Sequence, residues 1–250
     1  MAFSGFSTIL MAMNVKIGCA SFGQYKRHDY FKRLGTVEYQ QSFFDPPTDA
    51  VLTRLRRQAP EGFSFVVKAW QLVTHPPQGK KYPRLNRPLS GPAACHGSFQ
   101  GTEQVQQAWQ ATRKAADLLG SSMILYETPA SFTPTAANRK NMATFFQQDA
   151  LQGLTHVWEP QGLWSPMEVH GVCEELGLVA CWDPLATESM PPGPVAYLKI
   201  RNMGSPHPVS LSELDWLAQG LSEGYEAAHV VFNSSKMFAD ARKLAELLGT

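Results

Sequence analysis

The residues of this chain best suited to chemistry are charged side chains near the ends of short apolar runs. Glu38 lies in TVEYQQSF, Lys68 in FSFVVKAW, Glu159 in THVWEP, Asp183 in LVACWDP, and Lys199 and Arg201 in VAYLKIRN. A carboxylate beside an ammonium can act as an acid/base pair or clamp a polar substrate. Glu159 and Asp183 could divide acid and base duties, or hold a metal. Lys199 and Arg201, with Asn233 in HVVFNSS and the NMGS stretch at 202–205, have the makings of an anion site.

Parity places the first pair. Side chains alternate along a strand, so Thr36, Glu38, Gln40 and Ser42 share one face, while Val37, Tyr39 and Phe43 share the other. Ser64, Val66 and Lys68 likewise fall together. An unpaired interior charge is costly, so Glu38 and Lys68 are expected within a few ångströms of each other on neighbouring strands.

The runs must be strands to do this. Eight are found, the remaining two being VKIGCAS and SMILYET, and helical patterns or long loops separate them. That alternation predicts an α/β fold with a parallel sheet, a single TIM-type (β/α)8 barrel whose active-site mouth lies at the strand C-termini. It is irregular in two places. A long proline- and glycine-rich loop over 71–101 follows strand 3 and reads as a lid or binding loop, with His75 at its start. PLATESMPPGP leaves only a reduced crossover between strands 6 and 7. Thr48, Thr102 and Ser210 read as helix N-caps, Pro166 as a first-turn proline, and Gly120 and Gly177 as helix stops.

Composition narrows the classes. The chain has 250 residues, 44% of them hydrophobic, and no apolar run of membrane-spanning length, so a membrane role is not expected. Residues 1–14 read as a ragged N-terminal extension without a signal peptide's basic start, before a single domain over 15–250, and the expected location is cytoplasmic. The four cysteines form no CxxC pair and read as structural thiols. The histidines show neither HxH nor HExxH spacing, and no GxSxG, Walker A or GxGxxG is present, so no metal and no cofactor is expected. Residues 26–87 hold 12 Lys and Arg against 5 Asp and Glu within a net charge of +1. Solvated helix faces are the favoured reading, and a nucleic-acid side is the rarer one. Trp70, Trp158, Trp164 and Trp182 could floor a sugar or base pocket, although such residues more often pack.

Four stretches together resemble the DUF72 (YecE-like) family. GTVEYQQSFF resembles its NTVEINSTFY segment and carries Glu38. FSFVVKAWQLVTH resembles F-x-F-x-V-K-x-x-x-x-x-T-H and places Lys68 and His75. VAYLKIRNMG stands where the family tends to read A-Y-x-R-x-H-G, and HVVFNSSKMFADARKLAELL resembles its closing strand and helix. The chain departs at Lys199, which replaces an arginine, at Arg201-Asn202 in place of His-Gly, and at Ser234. It departs again at WEPQGLW, where Glu159 and Trp164 remain but the arginine of E-x-R does not. The resemblance implies a TIM-type barrel and supplies no established reaction.

These readings converge on a metal-independent enzyme, of hydrolase, lyase or isomerase type, acting on a small polar or anionic, phosphate-bearing substrate. Glu38, Lys68, Glu159 and Asp183 are the catalytic candidates; His75, Trp164, Lys199, Arg201 and Asn233 are the substrate-binding candidates. A non-catalytic small-ligand binder and a nucleic-acid-binding, lesion-processing barrel are the alternatives.

Overall fold

A computed structural model describes residues 14–77, 82–148, 151–202, 207–222 and 224–250. Eight parallel strands close into a barrel in chain order: β1 (Asn14–Cys19), β2 (Thr36–Tyr39), β3 (Ser64–Lys68), β4 (Met123–Thr128), β5 (Thr155–Pro160), β6 (Val179–Trp182), β7 (Val195–Ile200) and β8 (Ala227–Phe232). The helices around it are α1 (Arg27–Phe31), α2 (Gln41–Phe44), α3 (Asp49–Gln58), α4 (Gln71–Thr74), α5 (Glu103–Leu119), α6 (Ala136–Phe146), α7 (Pro166–Leu176), α8 (Pro184–Thr187), α9 (Leu211–Ser222) and α10 (Met237–Leu248). The eight-stranded TIM-type architecture expected from the strand–helix alternation is the one observed.

Alternation along the strands divides the apolar residues into two cores. One set, including Val66, Met123, Leu125, Val157, Cys181, Tyr197 and Val231, fills the barrel. The other, including Val37, Phe65, Val67, Ile124, Tyr126, Trp158, Leu198 and Phe232, faces the helices. Near the strand N-termini the interior is polar: Ser64 Oγ lies 3.1 Å from His229 Nε2 across the barrel.

Strand β1 meets β2 through only two register pairs, Gly18 with Thr36 and Cys19 with Val37. A Cβ at Gly18 would overlap the Thr36 carbonyl, so only glycine allows this approach. The Tyr30 hydroxyl of α1 accepts from the Cys19 N–H (2.8 Å) and donates to the Thr36 carbonyl (2.8 Å), tying α1 to both strands. Burial pushes that phenol's pKa well above its ordinary value, so it stays a donor.

Helix ends follow local chemistry. Thr102 Oγ1 accepts from the Val105 N–H, and Gly120 ends α5 at φ 62°. Ser165 and Glu168 form a capping box ahead of Pro166, and Gly177 ends α7 at φ 65°. Ser210 Oγ accepts from the Glu213 N–H at 3.2 Å. Thr48 occupies the N-cap of α3, but its hydroxyl makes no capping bond.

Two local expectations differ. TVEYQQSF is not strand throughout: it turns into α2 after Gln40, and Ser42 leaves the inward face to donate to the carbonyls of Tyr39 and Lys68, both at 2.7 Å. The long 71–101 loop is not open. Helix α4 occupies its start, and the N–H groups of Gly97, Ser98 and Phe99 donate back to Leu72, Thr74 and Val73. The crossover between β6 and β7 is reduced as expected, keeping a helix of only four residues, α8. Residues 1–13 of the expected extension, residues 78–81 of the loop and residues 203–205 of NMGS lie outside the described residues.

Candidate functional site

A line of alternating charge crosses the C-terminal mouth of the barrel. Lys199 Nζ, on β7, lies 3.0 Å from Glu38 of β2 and 2.7 Å from Glu159 of β5. The Arg201 guanidinium, two residues further along, lies 2.7 Å from the other oxygen of Glu159. Its second nitrogen is 3.9 Å from Asp183, whose Oδ2 also accepts the Arg201 N–H at 3.0 Å. The side chains of Glu38, Glu159 and Lys199 are at most 2% exposed, whereas that of Arg201 is 28% exposed. The line therefore runs from the closed interior toward solvent.

Each carboxylate is held by more than charge. Glu38 accepts from the Tyr197 hydroxyl at 2.8 Å and from Gln40 Nε2 at 3.2 Å. Gln161 Nε2 donates to Glu159 at 3.2 Å. Burial alone would raise the Glu159 pKa, but Lys199 and Arg201 overcome it and hold the carboxyl at about 2. Burial opposes the charge on Lys199 as well, yet Glu38 and Glu159 push its pKa above the ordinary lysine value. Lys199 is therefore a fixed ammonium between two anions. Tyr197 is raised well above its ordinary value by burial and by Glu38, which keeps its proton on the hydroxyl.

A second cluster sits on the β3–β4 side. Lys68 Nζ is 2.8 Å from Glu127 and 4.4 Å from the centre of the Phe43 ring. His75 Nε2 lies 3.8 Å from Glu127, while its Nδ1 meets Thr74 Oγ1 at 2.8 Å. Burial, reinforced by the Lys68 charge, lowers the His75 pKa to about 4. That ring is neutral near pH 7, and its approach to Glu127 is polar rather than ionic.

The structure brings together Glu38, Glu159, Asp183, Lys199 and Arg201, and places Lys68 and His75 beside them. It does not pair Glu38 with Lys68. Tyr197 and Lys199 reach Glu38 from across the barrel and occupy both its oxygens, and Lys68 turns to Glu127 instead. Glu127 is a mouth residue that sequence reasoning passed over, although Met123, Leu125 and Glu127 alternate in SMILYET just as Glu38 does on β2. Lys199 and Arg201 come to the mouth already matched to carboxylates, not as free cations. The Asn233 N–H donates to the Ile200 carbonyl at 2.9 Å and fixes the end of β8.

Trp164 packs outside the mouth. Its indole donates to the Phe132 carbonyl at 2.6 Å and meets the Trp158 ring at 4.8 Å. Trp158 and Trp70 are buried, and Trp182 donates to the Ser189 carbonyl at 2.8 Å. Cys19, Cys173 and Cys181 are buried free thiols, and burial raises their pKa values. Among the described residues, no group of three or more His, Cys, Asp and Glu is placed to hold a metal ion, and no helix is long and apolar enough to cross a membrane.

A cavity of about 310 Å³ opens beside the line of charge. It is lined by the turn after β1 (Ser21, Phe22, Gly23), by Tyr25 and Arg27, and by the end of β2 from Glu38 to Gln41. Glu38 lines this space, while its side chain is fully buried and both its oxygens are held by Tyr197, Lys199 and Gln40.

Fold and mouth together define a TIM-type barrel protein with a charged C-terminal opening. Within that class, the family model for DUF72, a protein of unknown function, matches residues 21–250, and the chain belongs to that family. A DUF72 family protein from Enterococcus faecalis is similar in structure, with a TM-score of 0.68 at 16% identity, covering 95% of this chain and 98% of that one. One from Thermotoga maritima gives a TM-score of 0.66 at 16% identity, over 95% and 100% of the two chains. A xylose isomerase domain-containing protein from Salmonella typhimurium shares the barrel more distantly, with a TM-score of 0.57 at 13% identity, over 95% and 98%. No curated protein sequence is significantly similar to the chain.

Proposed function

We propose that the chain is an enzyme acting on a small polar or anionic substrate at the barrel mouth, using acid/base chemistry of its own side chains without a metal. The observation that carries this reading is the buried line Glu38–Lys199–Glu159–Arg201–Asp183, whose first carboxylate borders a cavity of about 310 Å³. Such a line is not needed to fill a barrel, because well-packed apolar side chains of similar volume are usually as stable or more so. Buried, mutually tuned charges in a cleft are characteristic of catalytic sites.

Roles follow from geometry. Glu38 reaches the cavity and is the acid/base group, with Tyr197 and Gln40 fixing its orientation. Glu159, held ionised, keeps Lys199 protonated and Arg201 in place, so these three set the field rather than move protons. Asp183 Oδ1 is buried with no hydrogen-bond partner among the described residues, and Asp183 lines, with Arg201, a separate cavity of about 320 Å³. Lys68, Glu127 and His75 form the opposite wall. Every mouth carboxylate is matched to Lys or Arg, which favours proton transfer over metal ligation.

The test is turnover, followed by NMR, over a panel of small hydroxy acids, sugar phosphates and polyols. Glu38→Gln should retain the fold and lower the rate by roughly 10²-fold or more, the range of general acid–base catalysis. Unchanged turnover in Glu38→Gln would defeat the reading. Binding without turnover would favour the non-catalytic binder.

One observation favours a second reading. Lys26, Arg27, Lys32 and Arg57 line an outer groove of about 860 Å³ between α1 and the end of α3, which would suit nucleic-acid phosphates. Binding of that kind weakens steeply with salt, and salt-insensitive or absent DNA and RNA binding removes it.

A further inference from the structure

The cations inside the mouth are already matched. Lys68 lies 2.8 Å from Glu127, Lys199 2.7 Å from Glu159, and Arg201 2.7 Å from Glu159. An anionic substrate would have to displace a buried carboxylate to use Lys68 or Lys199, while Arg201, 28% exposed, faces a separate cavity of about 320 Å³ shared with Asp183. Arg27 is different. It lines the same 310 Å³ cavity as Glu38, and among the described residues it forms no ion pair. Its guanidinium donates one hydrogen bond, to Gln58 Oε1 at 3.1 Å, and lies 5.7 Å from the centre of the Phe22 ring. Most of its donors are therefore left for a ligand.

The placement is built rather than incidental. Arg27 is the first residue of α1, and Tyr30, one turn later, is anchored to the backbone of both β1 and β2. Gln58 steadies the guanidinium from α3. The turn that carries the chain from β1 to α1 bends at Gly23, with φ at 56°, where the Gly23 N–H donates to Ser21 Oγ. The Arg27 charge is felt at the Tyr39 hydroxyl on β2: burial raises that phenol to about 12 while Arg27 pulls the other way. The guanidinium charge thus acts at the end of β2, on the helix-facing side that carries Tyr39.

The rest of the lining is chosen for hydroxyls rather than for a second charge. Gln40 and Gln41 supply amides, Ser21 a hydroxyl, and Glu38 an acceptor. Resting on the reading of the mouth as a ligand site, we propose that Arg27 is its anion-binding residue and that the ligand is a small hydroxylated anion. Its carboxylate or phosphate sits on the Arg27 guanidinium, and its hydroxyls point toward Gln40 and Glu38. A planar, forked donor set suits either anion.

The test is calorimetric titration at low salt of wild type, Arg27→Gln, Arg27→Lys, Glu38→Gln and the double variant Lys32→Gln/Arg57→Gln. The probes are inorganic phosphate, glycerate and glycerol, with melting temperatures confirming the fold of each variant. Wild type should bind phosphate and glycerate more tightly than glycerol. Arg27→Gln should weaken both anions about 10- to 100-fold, with Arg27→Lys in between. Glu38→Gln should hold or improve anion affinity, because it removes a negative charge from the same cavity, and the outer-groove double variant should match wild type. Wild-type affinity in folded Arg27→Gln overturns the proposal, as does no anion binding by wild type or a loss confined to the outer-groove double variant. Failure of the enzyme reading looks different: Glu38→Gln would keep full turnover while anion binding still depended on Arg27.

Discussion

The middle and upper layers of the barrel interior come from the same strands, only two residues apart, yet differ in kind. Val66, Leu125, Val157, Cys181 and Tyr197 fill the middle; Lys68, Glu127, Glu159, Asp183 and Lys199 stand above them. Both layers are held by the same hydrogen-bonded ladder, and several upper-layer residues are as buried as the middle ones. The middle layer already closes the barrel by dispersion and apolar burial. Extending it upward by one layer of aliphatic side chains would have served the fold equally well. On the proposed reading, the upper layer serves function and the middle one stability.

Breaking the line of charge from one side should give the largest effect. Lys199→Ala leaves Glu38 and Glu159 buried against each other and should lower stability by about 3–5 kcal/mol in urea unfolding. A loss below about 1 kcal/mol would mean that water or Arg201 takes over Lys199's role. Leu125→Ala probes the layer beneath. It should cost about 2–5 kcal/mol through the cavity it leaves, while anion affinity at the mouth stays unchanged. Together the two variants separate the layers by readout rather than by magnitude.

Acid titration sharpens the comparison. Glu159 is ionised at about 2 in the fold against an ordinary value of 4.5. Its folded-state pKa is depressed, so its contribution to stability is complete above about pH 4.5 and disappears as pH falls toward 2. His75 and His229, both lowered from 6.5 to about 4 by burial, give a separate and earlier weakening as pH falls from 6.5 to 4. Glu159→Gln should flatten the lower limb of the stability–pH curve and leave the upper one. The smallest effect is expected at Gln40→Ala, which removes one hydrogen bond to Glu38 and should cost about 0.5–1.5 kcal/mol.

Much of this was legible in the chain, and the reason is the period-two alternation of strands. Parity put Glu38 and Lys68 inside, and the position of Glu159 and Asp183 near the ends of apolar runs put those carboxylates at strand ends. The helix signals at Thr102, Gly120, Pro166 and Gly177 were equally local. What escaped was non-local. Adjacent strands suggested that Glu38 would meet Lys68, but pairing across a barrel depends on the reach of Lys199 and Tyr197 from the opposite wall. Glu127 obeyed the same parity and was overlooked because SMILYET ends in Thr128, which drew no chemistry. Arg27 was hidden inside a basic stretch whose other members are mostly solvated. Only the fold shows that this one arginine lines the cavity beside Glu38.

The measurement that tests the account most directly is the unfolding free energy of the triple variant Glu38→Leu/Lys199→Met/Glu159→Leu, which replaces the three buried members of the line by apolar side chains and leaves Arg201 paired with Asp183. The account predicts stability equal to or above that of wild type, since the charged layer serves the ligand and not the fold. A loss of several kcal/mol would contradict it and make the line a structural element of the barrel.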